Sequence, residues 1–340
     1  MLAPRSFSLP LKTGLKLPDI SALNGTAVDN VREFDGLTVT PFVGLLDETY
    51  GSGAAVAYSV RRLASATTVL LRVRRDTAGG TGDNTEADVG FDSNNVLSLE
   101  SPVSNFSVGG SNATTLGEFL NVGTVNSITY TDKDSLSPNT AAAYVDEWKD
   151  QSGNGNDAEQ TTFTDQLSIH SGAANTDIIK ENGKPALDAA QSITTGMSVT
   201  LSSALSQPNT YSIVAKHDSG ATRSTMSDGG TNRNLIRTNA FDELQINAGS
   251  SVNGSDPTGS QHNFFALFNG SNSYCYVDAT QDISGDAGTQ SLGTTIYLCI
   301  DSNSTSVLQG TMQEWIVWNS NKDTNRTDIE SDVNTYFSIY

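Results

Sequence analysis

The second half of the chain is a succession of short apolar runs separated by polar turns. After position 175 these runs recur at intervals of roughly 8 to 15 residues, a spacing typical of strands in all-β proteins. They read MSVTLSS, TYSIVAKH, NLIRT, ELQINAG, HNFFALF, SYCYVDA, TTIYLCID and TMQEWIVW. Runs this short, rich in β-branched and aromatic residues, are typical of strands. The pattern predicts an all-β fold, a two-sheet antiparallel jelly-roll sandwich, and no fixed-period repeat.

Turn and cap signals refine this scheme. Asn182-Gly183 lies in DIIKENGKPALD and predicts a tight hairpin, and Asn269-Gly270 predicts a second hairpin with a longer loop. In TTLGEFL, Thr115 and Glu118 have capping-box spacing, which predicts one or two helical turns.

The C-terminal segment changes period. Its apolar residues fall at helical spacing, at Ile329, Val333, Tyr336 and Phe337. Either Asp323 or Thr324 can cap the start of a helix. The sequence therefore predicts a closing C-terminal helix that packs on the sandwich.

The first half of the chain gives mixed signals. GAAVAYSVRRL has Val56, Val60 and Leu63 at helical spacing and predicts a short amphipathic helix. TTVLLRVRRD and EADVGFD alternate as half-buried strands do. NSITYTD and AAAYVDEWKD are two further predicted strands.

Residues 1–44 lack a clear period, and Pro4, Pro10, Pro18 and Pro41 interrupt them. They are locally basic, and they contain no uninterrupted apolar segment of the kind that signal peptides have. The interpretation is either an extended arm that docks on another chain or a disordered tail. The predicted organisation is an N-terminal attachment arm at 1–44 and a sandwich domain at 45–340.

The charge of the chain excludes some partners. With 38 acidic and 19 basic residues the formal net charge is −19, which repels phosphate backbones and argues against nucleic acid. No apolar run approaches the length needed for membrane insertion.

Cys275 and Cys299 lie in strand-like runs, and they are interpreted as two buried free thiols or as a disulfide between neighbouring strands. The histidines have no metal-binding spacing; they are His170, His217 and His262.

The stretch WKDQSGNGNDA at 148–158 is rich in turn-forming residues. Its Asn, Asp and Gly residues allow a tight turn in which the polar groups satisfy one another. The alternative is a sugar or cation site, because carboxylate and amide oxygens are available. Calcium is the cation considered, although the spacing departs from the EF-hand loop. The candidate binding residues are Trp148, Asp150, Asn154, Asn156, Asp157 and, from a later run, Trp315.

The order DQSGNGN, then NGKPAL, then a run of strands resembles concanavalin A-like (laminin-G-like) sandwich modules of tailed-bacteriophage virion proteins. The closing segment GTMQEWIVWNSNKDTNRTDIESDVNTYFSIY resembles the way those modules end. The same loop is similar to one in the catalytic domain of fungal arabinofuranosidase B, and AAVAYSVRRLASATTVLLRVRR resembles that enzyme's first helix and strand. The resemblance covers about residues 50–340.

The phage resemblance implies a virion structural protein, such as a tail fibre or decoration protein. The arm would bind other virion proteins, and the sandwich would adhere to host-surface glycan. A homo-oligomer, with a trimer as the expected form, fits this class. On this interpretation the protein is not an enzyme, and its location is the virion.

The alternative is a glycoside hydrolase of arabinofuranosidase type. This reaction needs two carboxyl groups on either side of the scissile bond. The resemblance implies that Asp301 occupies the position of the acid, with Asp218, Asp228 or Glu314 as the second carboxyl group. The family's nucleophile is a Glu, and the corresponding region here, DSGATRSTMSDGGTNRNLIRT, contains none. Trp315 and Trp318 are three apart, which predicts one core residue and one partly exposed residue on opposite strand faces.

Overall fold

A computed structural model describes the backbone of residues 22–23, 26–27, 33–34 and 37–38, and then residues 41–79, 83–108, 113–121, 141–173, 176–190, 192–218, 223–230 and 233–340. Contacts divide the chain into Met1–Val43 and Gly44–Tyr340. The predicted extended arm lies almost wholly outside the described residues, and so does the predicted strand NSITYTD.

Within Met1–Val43 the described residues form two small antiparallel pairs. The strands are β1 (Ala22–Leu23) with β2 (Thr26–Ala27), and β3 (Glu33–Phe34) with β4 (Leu37–Thr38).

The second unit, Gly44–Tyr340, is built almost entirely of strands. Those of its first part are β5 (Ala54–Ser59), β6 (Val69–Asp76), β7 (Glu86–Gly90), β8 (Val103–Ser104), β9 (Ala142–Trp148), β10 (Ala158–Glu159), β11 (Leu167–Ser171), β12 (Lys180–Glu181), β13 (Lys184–Pro185), β14 (Leu187–Asp188) and β15 (Met197–Thr200). Those that follow are β16 (Asn209–His217), β17 (Ser224–Asp228), β18 (Leu235–Thr238), β19 (Leu244–Asn247), β20 (Ser251–Asn253), β21 (Gln261–Phe268), β22 (Ser273–Val277), β23 (Thr280–Gly285), β24 (Thr295–Leu298) and β25 (Gly310–Trp318). The helices are α1 (Leu116–Leu120) and α2 (Arg326–Phe337).

Every strand pairing in this unit is antiparallel, and apart from the hairpin β12–β13 the pairings form one connected system that closes on itself in the manner of a barrel. One path runs β8-β7-β6-β9-β11-β14-β25-β16-β21-β22-β23. A second leaves β9 and runs β10-β15-β24-β17-β18-β19-β20. Strand β25 is central, because β16 covers one side while β14 and β5 follow one another along the other. The all-β antiparallel prediction is confirmed.

The prediction of a helix around Val56 and Val60 is wrong. Ala54–Ser59 is strand β5, which pairs with β25 from Ser59 opposite Glu314 to Ala54 opposite Trp318. Nearly every residue of β5 is buried. Burial on both faces removes the alternation that marks a strand, so apolar residues at chance helical spacing mislead.

Other local predictions are confirmed. Asn182-Gly183 forms the turn between β12 and β13, with both residues at positive φ. In α1 the Thr115 hydroxyl accepts from Glu118 N and the Glu118 carboxylate accepts from Thr115 N, which completes the capping box. Helix α2 forms as predicted, but a 3-10 turn at Asp323–Asn325 precedes it and no side chain caps it.

Both tryptophans of β25 are fully buried, so the prediction that one of them is partly exposed is wrong. The indole of Trp315 stacks on Tyr58 with ring centroids 5.8 Å apart. The indole N–H of Trp318 donates to the Gly51 carbonyl at 2.7 Å. The segment before β5 therefore covers the strand face that the sequence pattern assigns to solvent.

Cys275 and Cys299 are buried free thiols. Burial raises both thiol pKa values well above the usual range, so the two groups stay protonated and pack as small apolar side chains. Among the described residues no helix is long and apolar enough to cross a membrane.

Candidate functional site

The loop at 150–157 is used to hold the fold together. The Asp150 carboxylate accepts from four groups, which are Ala57 N at 2.9 Å, Ser152 N at 2.9 Å, Ser152 Oγ at 2.8 Å and Asn156 N at 3.0 Å. The Asp157 carboxylate accepts from Asp150 N at 2.8 Å. The carboxylate oxygens that the loop offers to a cation or a sugar are therefore already hydrogen-bonded, since the second oxygen of Asp157 accepts from Lys149.

The amides of the same loop bond to strand β5. Asn154 Nδ2 donates to the carbonyls of Ala54 at 3.1 Å and Ala55 at 3.0 Å, and Asn156 Nδ2 donates to Ala55 O at 3.1 Å. Trp148 is fully buried and donates weakly to a β5 carbonyl. These contacts give the predicted binding residues a structural role and leave Trp148 and Trp315 without an exposed face.

Glu314, the second carboxyl group considered from sequence, lies in a buried ion pair. Its Oε2 is 2.8 Å from Arg61 Nε and accepts from Ser59 Oγ at 2.8 Å. Arg61 also reaches Asp332 of α2 at 2.7 Å. Burial opposes the charge of Arg61, but Glu314 and Asp332 outweigh it and raise the pKa of the guanidinium. Glu314 is completely buried and both of its carboxylate oxygens accept hydrogen bonds from Arg61, so it is not available to a substrate.

The carboxylates of Asp301 and Asp228 both accept hydrogen bonds from one turn, residues 301–306. The Asp301 carboxylate accepts from Thr305 N at 2.7 Å, Thr305 Oγ1 at 2.7 Å and Ser306 N at 3.1 Å. Asp228, which ends β17, accepts from Ser302 N at 2.9 Å. The structure therefore brings together two of the carboxylates named from sequence.

The ionisation of Asp301 follows from these contacts. Burial raises its pKa, but the hydrogen bonds from Thr305 and Ser306 and the charge of Arg233 outweigh burial and lower it overall. A carboxyl group with a lowered pKa is ionised at neutral pH. Asp301 therefore suits a nucleophilic or charge-stabilising role better than the acid role that the resemblance implies.

A line of polar side chains extends from this turn across four strands. The register pairs Thr225 of β17 with Arg237 of β18, Arg237 with Gln245 of β19, and Gln245 with Asn253 of β20. Arg237 Nε donates to Gln245 Oε1 at 2.9 Å, and Gln245 Nε2 donates to Asn253 Oδ1 at 2.8 Å. At the other end Thr225 Oγ1 donates to Ser306 Oγ at 2.8 Å. We call this line the polar ladder.

Three members of the polar ladder line an open groove of about 540 Å³, namely Arg237, Gln245 and Asn253. Glu243 and Asn239 also line the groove; the Glu243 carboxylate accepts from Asn239 at 2.9 Å and from Asn253 at 3.1 Å. Phe241 lines it too and is 81% exposed. Planar polar side chains beside an exposed aromatic ring can bind a sugar through hydroxyl hydrogen bonds and ring stacking.

Two arginines, Arg223 and Arg237, line this groove, and a third, Arg233, lies near enough to affect the pKa of Arg237. Burial, and then the charges of Arg223 and Arg233, lower the pKa of the Arg237 guanidinium, while Asp301 and Asp228 oppose that shift. Burial contributes most to this lowering of the Arg237 pKa, and each neighbouring arginine affects it more than either aspartate does.

The other candidates from sequence lie elsewhere. Asp218 is exposed and 3.5 Å from Lys216. His217 is fully buried with Nδ1 2.7 Å from Ser224 Oγ, and burial and His262 lower its pKa to about 3. Among the described residues Nε2 of His217 has no hydrogen-bond partner, so the pair lacks the carboxylate of a triad. The described residues also hold no cluster of three His, Cys, Asp or Glu side chains arranged for a metal such as calcium.

Asp146 on β9 has a shifted ionisation that predicts a pH effect. Burial, then Glu86 and Glu147, raise its pKa to about 6. Because the folded pKa lies above the unfolded value, its contribution to stability is complete below pH 3.8 and is lost as pH rises to about 6. We expect Asp146→Asn to reduce the fall in unfolding free energy over that window by about 1 kcal/mol, allowing for solvent screening.

Urea unfolding at several pH values checks this prediction. Asp286→Asn, a change at an exposed turn carboxylate, is the control and should leave the slope as in the wild type. An unchanged slope in Asp146→Asn would contradict the prediction.

Comparison with solved structures finds glycosidases. A GH54 α-L-arabinofuranosidase solved with a cyclic sulfate inhibitor matches with a TM-score of 0.51 and 15% identity, over 82% of this chain and 62% of that one. A complex of an arabinofuranosidase with arabinofuranosyl-α-1,2-xylobiose matches with a TM-score of 0.47, 15% identity and the same coverage. Trypanosoma rangeli sialidase matches with a TM-score of 0.39 and 13% identity, over 55% of this chain and 31% of that one. No family model and no curated protein matches the sequence.

These comparisons correct one prediction. The expectation that the protein is not an enzyme is corrected, because the fold that the chain resembles with a TM-score of 0.51 is that of an enzyme, the GH54 α-L-arabinofuranosidase. At this identity the likeness to the arabinofuranosidase shows the fold alone. The chain spans about 62% of the length of the arabinofuranosidase chains.

Sequence reasoning missed the polar ladder, although a signal for it exists. NLIRT and ELQINAG are predicted strands that the short segment Asn239–Asp242 joins. Pairing them as a hairpin sets Arg237 beside Gln245. Nothing in the sequence pattern predicts that the turn at 301–306 lies at the other end of the ladder, because that contact depends on the pairing of β17 with β24.

Proposed function

We propose that the protein is a glycoside hydrolase that binds a polysaccharide along the polar ladder and cleaves it beside the turn at 301–306. The observation that supports this proposal is that Asp228 and Asp301 both accept hydrogen bonds from that one turn. The turn lies next to a groove lined by planar polar groups. Two carboxyl groups at one bond are the requirement of this chemistry. The proposal includes the finer architecture, a two-sheet jelly-roll of concanavalin A-like type, with which the antiparallel pairings are compatible.

The two carboxyl groups would have different catalytic roles. Asp301 is ionised and would attack, or stabilise positive charge at, the anomeric carbon. Asp228, whose side chain is fully buried in this structure, would have to become accessible to pass a proton to the leaving oxygen, and a water molecule would then supply the new hydroxyl group. Arg233, with Nη2 4.0 Å from Asp228 Oδ2, lies close enough to influence both aspartates.

The proposal predicts the effect of removing either carboxylate. Sugar release from the responsive polysaccharide should fall by about 10²–10⁴-fold in Asp301→Asn and in Asp228→Asn. The measurement is reducing-sugar release over a panel of plant and bacterial polysaccharides, with circular dichroism and thermal melting to verify folding. Asp286→Asn is the matched control, because Asp286 also accepts from a turn N–H, that of Gly288, but makes no hydrogen bond to the turn at 301–306. Undiminished release by both folded variants would refute the assignment.

The exposed ring of Phe241 leads to a prediction about glycan affinity. Phe241→Ala should weaken glycan affinity about tenfold, because stacking and apolar burial against a sugar ring would be lost. Ile193, which is 79% exposed and does not line the groove, provides the matched control as Ile193→Ala. Isothermal titration with the responsive glycan measures both, and equal affinity in Phe241→Ala and the wild type would exclude stacking there.

We also propose that the protein is a phage virion component whose N-terminal arm binds other virion proteins and whose sandwich acts on host-surface glycan. The resemblance of the DQSGNGN loop and of the closing segment to virion modules supports it. The separation of Met1–Val43 from Gly44–Tyr340 is compatible with an attachment arm. Assembly as a homo-oligomer, with a trimer expected, is part of the proposal.

Peptide mass spectrometry of purified particles tests the virion proposal. Detection of this chain at a defined copy number relative to the major capsid protein would support it, and absence from intact particles would refute it. Native mass spectrometry of the full chain tests the trimer.

A further inference from the structure

Three arginines converge on the β17–β18 hairpin at the groove. Arg223 comes directly before β17, Arg237 lies on β18 opposite Thr225, and Arg233 comes two residues before β18. Arg223 and Arg237 line the groove itself. This is a concentration of positive charge in a chain whose formal net charge is −19.

These guanidinium groups keep most of their hydrogen-bonding capacity. Arg237 uses Nε on Gln245 and, like Arg223, makes no ion pair within the part of the chain that the structure describes. Arg233 lies 4.0 Å from Asp228, which is too long for a hydrogen bond. By contrast, Arg61 and Arg72 each have carboxylate partners within 3.0 Å. A guanidinium offers five N–H donors, so several donors at the groove have no protein acceptor.

The carboxylates at the groove are satisfied largely by neutral donors. Glu243 accepts from the amides of Asn239 and Asn253. Asp301 accepts from Thr305 and Ser306. The acidic groups therefore do not use the forked N–H groups of Arg223 and Arg237, which remain available to a ligand.

We infer that the groove selects a glycan that carries carboxylate groups, that is, a polyuronate. The guanidinium fork matches a carboxylate in geometry and binds it through two parallel hydrogen bonds, whereas a sugar hydroxyl does not use both at once. Phe241 also lines the groove, where its ring can stack on the ring of the same sugar. The inference rests on the proposed function, because it names the substrate class of the same groove.

A matched pair of ligands tests the inference. One is a defined oligogalacturonate, and the other is its carboxyl-reduced form, which has the same backbone with hydroxymethyl groups in place of carboxylates. Isothermal titration with the full chain should show at least about tenfold tighter binding of the uronate, the effect of losing charge-assisted hydrogen bonds. Raising salt from 50 mM to 500 mM should reduce that preference.

Variants link the preference to the arginines. Arg223→Gln and Arg237→Gln should each lower uronate affinity by about tenfold, and Arg223→Gln, which leaves the polar ladder intact, should not change the affinity for the reduced ligand. Lys180→Gln removes one positive charge from an exposed side chain that does not line this groove, and should leave both affinities unchanged. Arg223 is exposed, so its replacement does not endanger folding.

The outcomes separate the inference from the function on which it rests. Equal binding of the two ligands, or tighter binding of the reduced one, would overturn the inference and leave glycan binding intact. Binding of neither, together with cleavage of a neutral polysaccharide that depends on Asp301, would also overturn the inference alone. Binding and cleavage of no glycan would overturn both.

Discussion

Glu314→Ala is expected to lower the free energy of unfolding by about 3–5 kcal/mol, because it leaves the buried Arg61 guanidinium without its closest partner. Arg61 Nε and Glu314 Oε2 lie 2.8 Å apart, and the Glu314 side chain has no solvent exposure. The pair also joins the segment that follows β5 to β25 and, through Asp332, to helix α2. Urea unfolding followed by intrinsic tryptophan fluorescence measures the change.

Two further variants make this result interpretable. Asp332→Ala removes the more exposed partner of Arg61, which keeps its pair with Glu314, and should cost only about 1 kcal/mol. Replacing Arg61 and Glu314 together with Met and Leu should cost less than Glu314→Ala alone, because no charge then stays unpaired. A loss in Glu314→Ala no greater than in Asp332→Ala would contradict the account of the buried pair.

The second large effect is expected at the loop. Asp150→Ala should destabilise the fold by about 2–4 kcal/mol, because it removes the acceptors of Ala57 N, Ser152 and Asn156 N together. Asp150→Asn keeps one side-chain acceptor and should lie between Ala and the wild type.

A cation-binding role would give a different result. If the loop bound calcium, the wild type would lose stability in a chelator and Asp150→Ala would not respond to it. We expect thermal melting of the wild type to be unaffected by chelator, because the Asp150 oxygens are already hydrogen-bonded to the protein.

The fold was more accessible from sequence than the site. Strands whose residues alternate in burial, such as Met197–Thr200, show this alternation in the sequence. Strand β5 does not, since both of its faces are covered, and Trp318 misleads because its cover comes from residues far away in sequence. Tertiary contacts determine the burial of these positions, and the periodicity of the sequence contains no information about those contacts.

The carboxylates of the site could be nominated from sequence, but their surroundings could not. Asp228 and Asp301 come together only because β17 pairs with β24. The ionised state of Asp301 depends on backbone N–H groups of its own turn, and the sequence gives residue types without that geometry. Glu314 is equally acidic in sequence, yet its ion pair with Arg61 removes it from the candidates.

The bonds between the loop at 150–157 and β5 have a consequence for the behaviour of the protein at high concentration. Strand β5 pairs with β25 on one side only, and its other side would present free N–H and C=O groups to any extended chain. Asp150 takes the Ala57 N–H, and Asn154 and Asn156 take the carbonyls of Ala54 and Ala55. An uncovered strand edge is a template for edge-to-edge aggregation. The loop therefore protects the protein from self-association by using side chains in place of a neighbouring strand.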